Sequence, residues 1–353
     1  MKNETLFSRR WSRREFLKWS GATAALASLP VAVQANSSAA PAVRIGSGYF
    51  TYELVPGWGE LPDGGQYGLG CAVVVDGRDS VYVLTRTKPG LVIFDRKGRL
   101  QEVWEEEPAL RKGISAETFS KSAHGLYWSK ERGKEFLYFT ENKPGNRVTK
   151  TDLKGNVVLR IGNVAEASPT SIPFKFDSPT DVAIAANGDI YVVDGYGSQL
   201  VHRFDRNGRH LRTIGGRGTE HGKFNICHGV WISTLRREPE VYIADRKNGR
   251  VEVFSMDLDY RRTISGLRMP CCFYQHKKHI FVPDIASRVT VLDADDRMVA
   301  QLGDGKEIKD NDTVPSVFAK PHALTLDSRG DLYVLEWLPH ARLRKFRHTP
   351  QRA

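Results

Sequence analysis

Three observations predict an all-β chain folded as a six-bladed β-propeller. A segment of roughly fifty residues repeats along the sequence, its pieces show the period-two alternation of strands, and no stretch after the leader carries a convincing helical period. The clearest copy runs Thr180-Asp-Val-Ala-Ile-Ala-Ala-Asn-Gly-Asp-Ile-Tyr-Val-Val-Asp194, then Val201-His-Arg-Phe-Asp-Arg-Asn-Gly208, then Leu211-Arg-Thr-Ile-Gly215. It reads as a short apolar strand, a glycine turn, a second strand ending in an acid, and a third ending in Phe-Asp-x-x-Gly before the last strand.

Equivalent first strands begin at Cys71, His124, Thr180, His228, Cys271 and His322, with steps of 53, 56, 48, 43 and 51 residues. Each step suits one four-stranded blade. Short alternating runs such as Val81-Tyr-Val-Leu and Val241-Tyr-Ile-Ala mark the second strands. The last copy ends near residue 348 one strand short, while Tyr49 to Val55, followed by Pro56-Gly-Trp-Gly59, repeats the fourth-strand pattern before the first full copy. Pairing that N-terminal strand onto the sixth blade closes the ring and removes two open sheet edges. The propeller is thus expected over residues 45–348, behind a linker at 36–44. The repeat resembles the NHL kind.

Residues 1–35 read as an export leader. Ser12-Arg13-Arg14-Glu15-Phe16-Leu17-Lys18 resembles the twin-arginine consensus, Trp19 to Leu29 is mildly apolar, and Val33-Gln34-Ala35 is a small-residue cleavage site. The apolar run is short and interrupted by Gly21, Thr23 and Ser28, so cleavage after Ala35 is expected rather than stable membrane insertion. The resemblance implies the twin-arginine translocase as a partner during export, transport in the folded state, and a periplasmic destination.

The leader carries six basic and two acidic side chains, which leaves about +7 of the formal net charge of +11 on the rest. Those charges recur in turns such as Asp95-Arg-Lys-Gly-Arg99 and Asp205-Arg-Asn-Gly-Arg209, with acids interspersed. That pattern is a set of solvated turns, not a nucleic-acid stripe. A monomer acting on a small-molecule or peptide substrate is expected. The four cysteines, Cys71, Cys227, Cys271 and Cys272, make no Cys-x-x-Cys zinc pattern.

The first strand of each propeller blade lines the central channel, so equivalent positions form a ring. Histidines fill alternate places in it, as Ala123-His124-Gly, Cys227-His228-Gly and Pro321-His322-Ala. Each one alone has an ordinary reading as a hydrogen-bonded channel residue. Together, three neutral imidazoles with approximate threefold symmetry suit a zinc ion with one open position, and other divalent transition metals accept the same set. Cys71 and Cys271 share the ring. A thiolate ligand, a Cys271–Cys272 vicinal disulfide and plain buried thiols all remain open, with the last as the ordinary expectation.

Repeat register puts the ends of the second strands just above this ring, at Thr85-Arg86, Glu141-Asn142, Asp194-Gly195-Tyr196, Asp245-Arg246, Asp284-Ile285 and Glu336-Trp337. Arg86, Tyr196 and Arg246 then share one face of the disc. A phenol beside a guanidinium and a metal can have its pKa lowered enough to serve as a base. Singly, the arginines also suit pairing with neighbouring acids, and Tyr196 suits a blade cap.

Asp194-Gly-Tyr-Gly-Ser198, His228-Gly-Val230, Ala244-Asp-Arg-Lys-Asn-Gly-Arg250 and Pro321-His322 are similar in order and spacing to the peptidyl-α-hydroxyglycine α-amidating lyase domain. That domain is itself a six-bladed propeller. The resemblance implies His124, His228 and His322 as zinc ligands, Tyr196 as the catalytic tyrosine, and Arg246 and Arg86 as active-site arginines. It implies carbinolamide breakdown to an amide and glyoxylate. Lys320 stands where the family has a methionine and Ala323 where it has an acidic calcium ligand, so structural calcium is not carried over. The family's disulfide cysteine has Gly197 in its place. No copper monooxygenase domain accompanies the repeats in this sequence, so the hydroxylated substrate would come from elsewhere. The alternative from another class is a non-catalytic NHL propeller binding a protein or cell-wall ligand. A sugar-lactone hydrolase is disfavoured, because such sites hold calcium with carboxylates and amides rather than imidazoles.

Overall fold

Strand-forming runs punctuated by turns build six sheets set as blades about one axis. The computed structural model describes residues 42–105, 121–306 and 317–351. The export leader, its cleavage site and most of the linker lie outside them. Strands β1 (Arg44–Ile45) and β2 (Tyr52–Val55) precede blade 1, which comprises β3 (Gly70–Val75), β4 (Val81–Thr85), β5 (Leu91–Phe94) and β6 (Leu100–Trp104). Blade 2 comprises β7 (Ala123–Glu131), β8 (Lys134–Glu141), β9 (Arg147–Asp152) and β10 (Val157–Gly162), extended by a parallel β11 (Ser171–Pro173). Blade 3 has β12 (Asp181–Ile184), β13 (Ile190–Asp194), β14 (Leu200–Phe204) and β15 (His210–Gly215). Blade 4 has β16 (Cys227–Ser233), β17 (Glu240–Asp245), β18 (Arg250–Phe254) and β19 (Tyr260–Ile264). Blade 5 has β20 (Tyr274–His276), β21 (His279–Asp284), β22 (Arg288–Leu292) and β23 (Met298–Leu302). Blade 6 supplies β24 (Pro321–Leu326), β25 (Leu332–Glu336) and β26 (Leu343–His348).

The six blades and the six second-strand ends agree with the repeat register. The Phe-Asp-x-x-Gly motif has a local cause. In the turn from third to fourth strand, Asp95, Asp152, Asp205 and Asp293 each accept two backbone N–H groups through Oδ1. Gly208 then adopts φ 83°, which suits a residue without a Cβ. The equivalent third-strand position is a buried phenylalanine in four blades, Phe94, Phe204, Phe254 and Phe346.

Ring closure follows the missing-strand reasoning, with one addition. Strand β2 pairs antiparallel with β26 in the register Tyr52↔His348 to Val55↔Lys345, and β1 adds a fifth strand outside it. Tyr52 is buried at this seam. Trp58 then crosses to blade 1: its ring lies 4.8 Å from Tyr333 and 5.6 Å from Phe94, and its Nε1 donates to the Arg96 carbonyl. One short N-terminal segment therefore fastens blade 6 to blade 1. Deleting residues 43–60 is expected to abolish cooperative thermal unfolding followed by circular dichroism, because it opens the ring rather than trimming an end. A retained sharp transition would show that blade 6 closes without it.

Candidate metal centre

Every ring histidine sits at an irregularity in its strand. Pairing jumps from Cys227↔Asp245 to Gly229↔Ala244 in blade 4, from Pro321↔Glu336 to Ala323↔Leu335 in blade 6, and from Ala123↔Glu141 to Leu126↔Phe139 in blade 2. The residue left over is the histidine, joined in blade 2 by Gly125. A bulge of this kind re-aims a side chain out of the pleat, here toward the axis.

In blades 3, 4 and 6 the acid that ends the second strand holds the lead-in to the ring. Asp245 Oδ1 accepts the Asn225 N–H, Glu336 Oε1 accepts the Ala319 N–H, and Asp194 accepts the Asp177 and Ser178 N–H groups. Arginines in or beside the third strands pair with three of the second-strand acids: Arg250 lies 2.8 Å from Asp245, Arg342 2.5 Å from Glu336 and Arg147 2.9 Å from Glu141. These carboxylates are fully buried, so each ion pair offsets a desolvation cost while fixing the loop before the histidine.

The three imidazoles meet. His124, His228 and His322 are buried, their ring centroids lie 4.8, 4.9 and 5.3 Å apart, and their nearest ligating atoms fall within 4.8 Å of one another. Each Nδ1 donates to the backbone carbonyl of the ring residue in the next blade. His124 reaches Thr180 O at 2.7 Å, His228 reaches Cys271 O at 2.7 Å, and His322 reaches Cys71 O at 2.8 Å. That contact fixes the tautomer with the proton on Nδ1 and turns every Nε2 lone pair toward the axis.

Without a cation this arrangement is unsatisfied. His228 Nε2 and His322 Nε2 stand 3.3 Å apart, two acceptors facing each other. The Tyr196 hydroxyl lies 3.2 Å from His124 Nε2 and 3.1 Å from His228 Nε2, and one proton cannot serve both. Protonating the rings is no remedy. Burial first, then Arg246 and Arg86, push His322 down to about 3, while burial leads the same downward shift at His124 and His228. Converging neutral nitrogens with orienting carbonyls behind them fit a divalent transition metal.

Tyr196 and Arg246 stand over the ring as the register predicts. Arg246 Nη1 lies 3.4 Å from the Tyr196 hydroxyl, and its guanidinium sits 5.4 Å from the phenol centroid. The expected lowering of the Tyr196 pKa is not what the protein alone produces. The residue is 38% exposed, but desolvation around its hydroxyl raises the pKa above the ordinary tyrosine value, and Arg246 and Arg86 only partly oppose that. The missing contribution is the positive charge that the ring would hold.

Arg86 reaches the ring from blade 1 but does not touch Tyr196. Its Nε donates to Ala123 O at 3.0 Å, its Nη2 to Asn142 Oδ1 at 2.5 Å, and its guanidinium lies 5.2 Å from the Trp337 ring. Asn142 and Trp337 were not singled out from the sequence, although both occupy the same second-strand-end register. Trp337 also packs 5.1 Å from His322. All four cysteines are free thiols; burial pushes Cys71 up to about 12 and Cys271 up to about 11, so neither thiol is poised as a thiolate ligand.

Imidazoles that titrate near their ordinary value in the unfolded chain and far lower in the folded one make the unfolded state bind more protons. Stability is therefore complete above about pH 6.5 and lost as pH falls. The metal-free protein should lose on the order of 2 kcal/mol per ring histidine by about pH 5. A urea midpoint that stays flat over that range would show that the rings titrate normally.

Comparison with known proteins agrees with this architecture. Residues 12–30 match the twin-arginine translocation pathway signal sequence, and residues 176–204 match the NHL repeat. The human NHL repeat-containing protein 3 is 28% identical over 214 residues, which cover 58% of this chain and 57% of that protein. A probable peptidyl-alpha-hydroxyglycine alpha-amidating lyase of Caenorhabditis elegans is 32% identical over 124 residues, 34% of either chain. The match thus spans little more than half of the first relative and about a third of the second. Among solved structures, a gluconolactonase from Xanthomonas campestris superposes with a TM-score of 0.59 at 13% identity, covering 85% of this chain and 92% of that one, which shows the shared fold. No helix among the described residues is long and apolar enough to cross a membrane. The chain is an NHL-repeat β-propeller with a twin-arginine export signal, similar over part of their length to the peptidyl-α-hydroxyglycine α-amidating lyases.

Proposed function

We propose that this protein is a periplasmic, metal-dependent carbon–nitrogen lyase that splits a carbinolamide of the α-hydroxyglycine type into an amide and glyoxylate. The reading is carried by one observation: the three Nε2 atoms converge directly beside the Tyr196 hydroxyl. His124, His228 and His322 would hold the ion, zinc being the member of the divalent transition series that best suits three imidazoles and an open position. A bound ion supplies Lewis acidity toward a substrate hydroxyl and the positive field that Tyr196 lacks in its absence.

The chain's own groups account for the rest. Tyr196, as phenolate, takes the hydroxyl proton, and Arg246 stabilises that anion through Nη1. The electron pair of the O–H bond becomes the new C=O, the C–N bond breaks, and the departing nitrogen receives the proton back through Tyr196. Amide and glyoxylate balance the equation without oxidant or water. Arg86 is tied down through Nε and Nη2, which leaves its Nη1 edge to orient a carboxylate such as the one on the glyoxylate half. Lys320 lies in the lead-in to His322, where a cation would add attraction for an anionic substrate.

Protein recovered from the periplasm should contain about one zinc or similar ion per chain. His228→Ala, if folded by circular dichroism, should lose that ion; equal metal in both proteins would overturn the site. Glyoxylate release from α-hydroxyhippurate should fall about a hundredfold or more in kcat for Tyr196→Phe with metal retained. A metal-loaded protein that releases no glyoxylate would exclude this chemistry.

A further inference from the structure

Below the histidine ring, on the side away from Tyr196, the innermost strands reach a second level. Its positions are Ala72, Gly125, Asp181, Gly229, Cys272 and Ala323. Register places them together: Ala72 pairs with Leu84, Asp181 with Val193, Gly229 with Ala244 and Ala323 with Leu335, each one step inside the end of a second strand. Five small side chains around an axis leave space unfilled. Together with the ring above and the strand positions below, they line a cavity of about 290 Å³.

Asp181 is the one acid on this level. Its Oδ1 accepts the Val182 N–H at 2.9 Å and its Oδ2 the Val230 N–H at 3.1 Å. Among the described residues these two N–H groups are the partners that favour its charged form, with no lysine or arginine beside it, and burial pushes the carboxyl up to about 7. Room for it comes from Gly125, where an added Cβ would stand 2.9 Å from Asp181 Oδ1. The next level down is aromatic. Tyr127 and Trp231 lie 5.5 Å apart, Trp231 and Tyr274 5.6 Å apart, all three line the cavity, and the buried Trp231 Nε1 has no hydrogen-bond partner.

We propose that this chamber binds a small organic ammonium ion, with Asp181 as its anionic partner and Tyr127, Trp231 and Tyr274 as its aromatic wall. An enclosed carboxylate without a counter-cation gains most from a guest that brings positive charge. Aromatic faces attract an ammonium group and lose little water in doing so. A hard divalent cation is the poorer guest, since it needs six or more oxygens and this level offers one carboxylate already accepting two N–H groups. The chamber opens onto the histidine ring above it, but its assignment does not depend on the lyase reading.

Calorimetric titration of the full chain, metal-loaded, with choline tests this, using the uncharged carbon isostere dimethylbutanol as control. Choline should bind saturably and about tenfold or more tighter than the isostere, and its binding should be weakened about tenfold by Asp181→Asn and by Trp231→Leu. Should Asp181→Asn fail to fold, Trp231→Leu and the isostere ratio decide. Equal binding of choline and isostere, no saturable binding, or wild-type affinity in folded variants would overturn the proposal. Saturable calcium binding that Asp181→Asn abolishes, with choline excluded, would assign the chamber to a metal instead.

Discussion

The hydrogen bond from each ring histidine to the carbonyl of the next blade is the contact on which the rest of the centre depends. It sets the tautomer, fixes the ring plane and aims the free nitrogen, and it does all three across a blade boundary. Centre geometry therefore belongs to the assembled ring rather than to any one sheet. It also explains the mixed identity of the other ring places. Cys71, Thr180 and Cys271 contribute main-chain oxygens there, which any residue owns, so their side chains are free to differ.

Strand irregularity and buried charge serve the same end. A regular innermost strand would leave the histidine in the ordinary in-and-out alternation of the pleat; the bulge releases it. The carboxylates at the second-strand ends then clamp the segment just before it, and arginines in or beside the third strands oppose the upward push that burial gives those carboxyl groups. Buried ion pairs contribute little net stability against an apolar alternative, yet losing one partner is costly. Their return is positional: a lead-in loop that would otherwise wander is held by its main-chain N–H groups.

Much of this was legible because a repeat reports the same physics six times. The spacing of first strands, the acid ending five of the six second strands and the missing fourth strand of blade 6 determine blade number, face and closure from the linear pattern alone. Tyr196 and Arg246 fall over the ring for the same reason. What could not be read was anything resting on main-chain atoms or on close approach between sheets: the Nδ1–carbonyl bonds, the bulges, and the void below the ring. The Tyr196 pKa went the other way because enclosure, invisible in a linear pattern, outweighs the guanidinium at 3.4 Å. Arg86 differed through Asn142 and Trp337, whose hold on it depends on the spatial neighbourhood of blades 1, 2 and 6.

The seam at Tyr52 and His348 has a temporal side. Since the sheet that completes the ring joins Tyr52–Val55 to Leu343–His348, no nascent chain that stops short of blade 6 can contain it, and His322 is made after the other two ring histidines. Ring assembly must therefore wait for blade 6, and so must any ion that the axis would hold. A secretion route that threads chains unfolded would postpone that moment until after the membrane. The arginine pair at residues 13 and 14 belongs to the signal of a route that accepts folded proteins, which would let the ring close, and any ion be chosen, before the protein meets the medium outside.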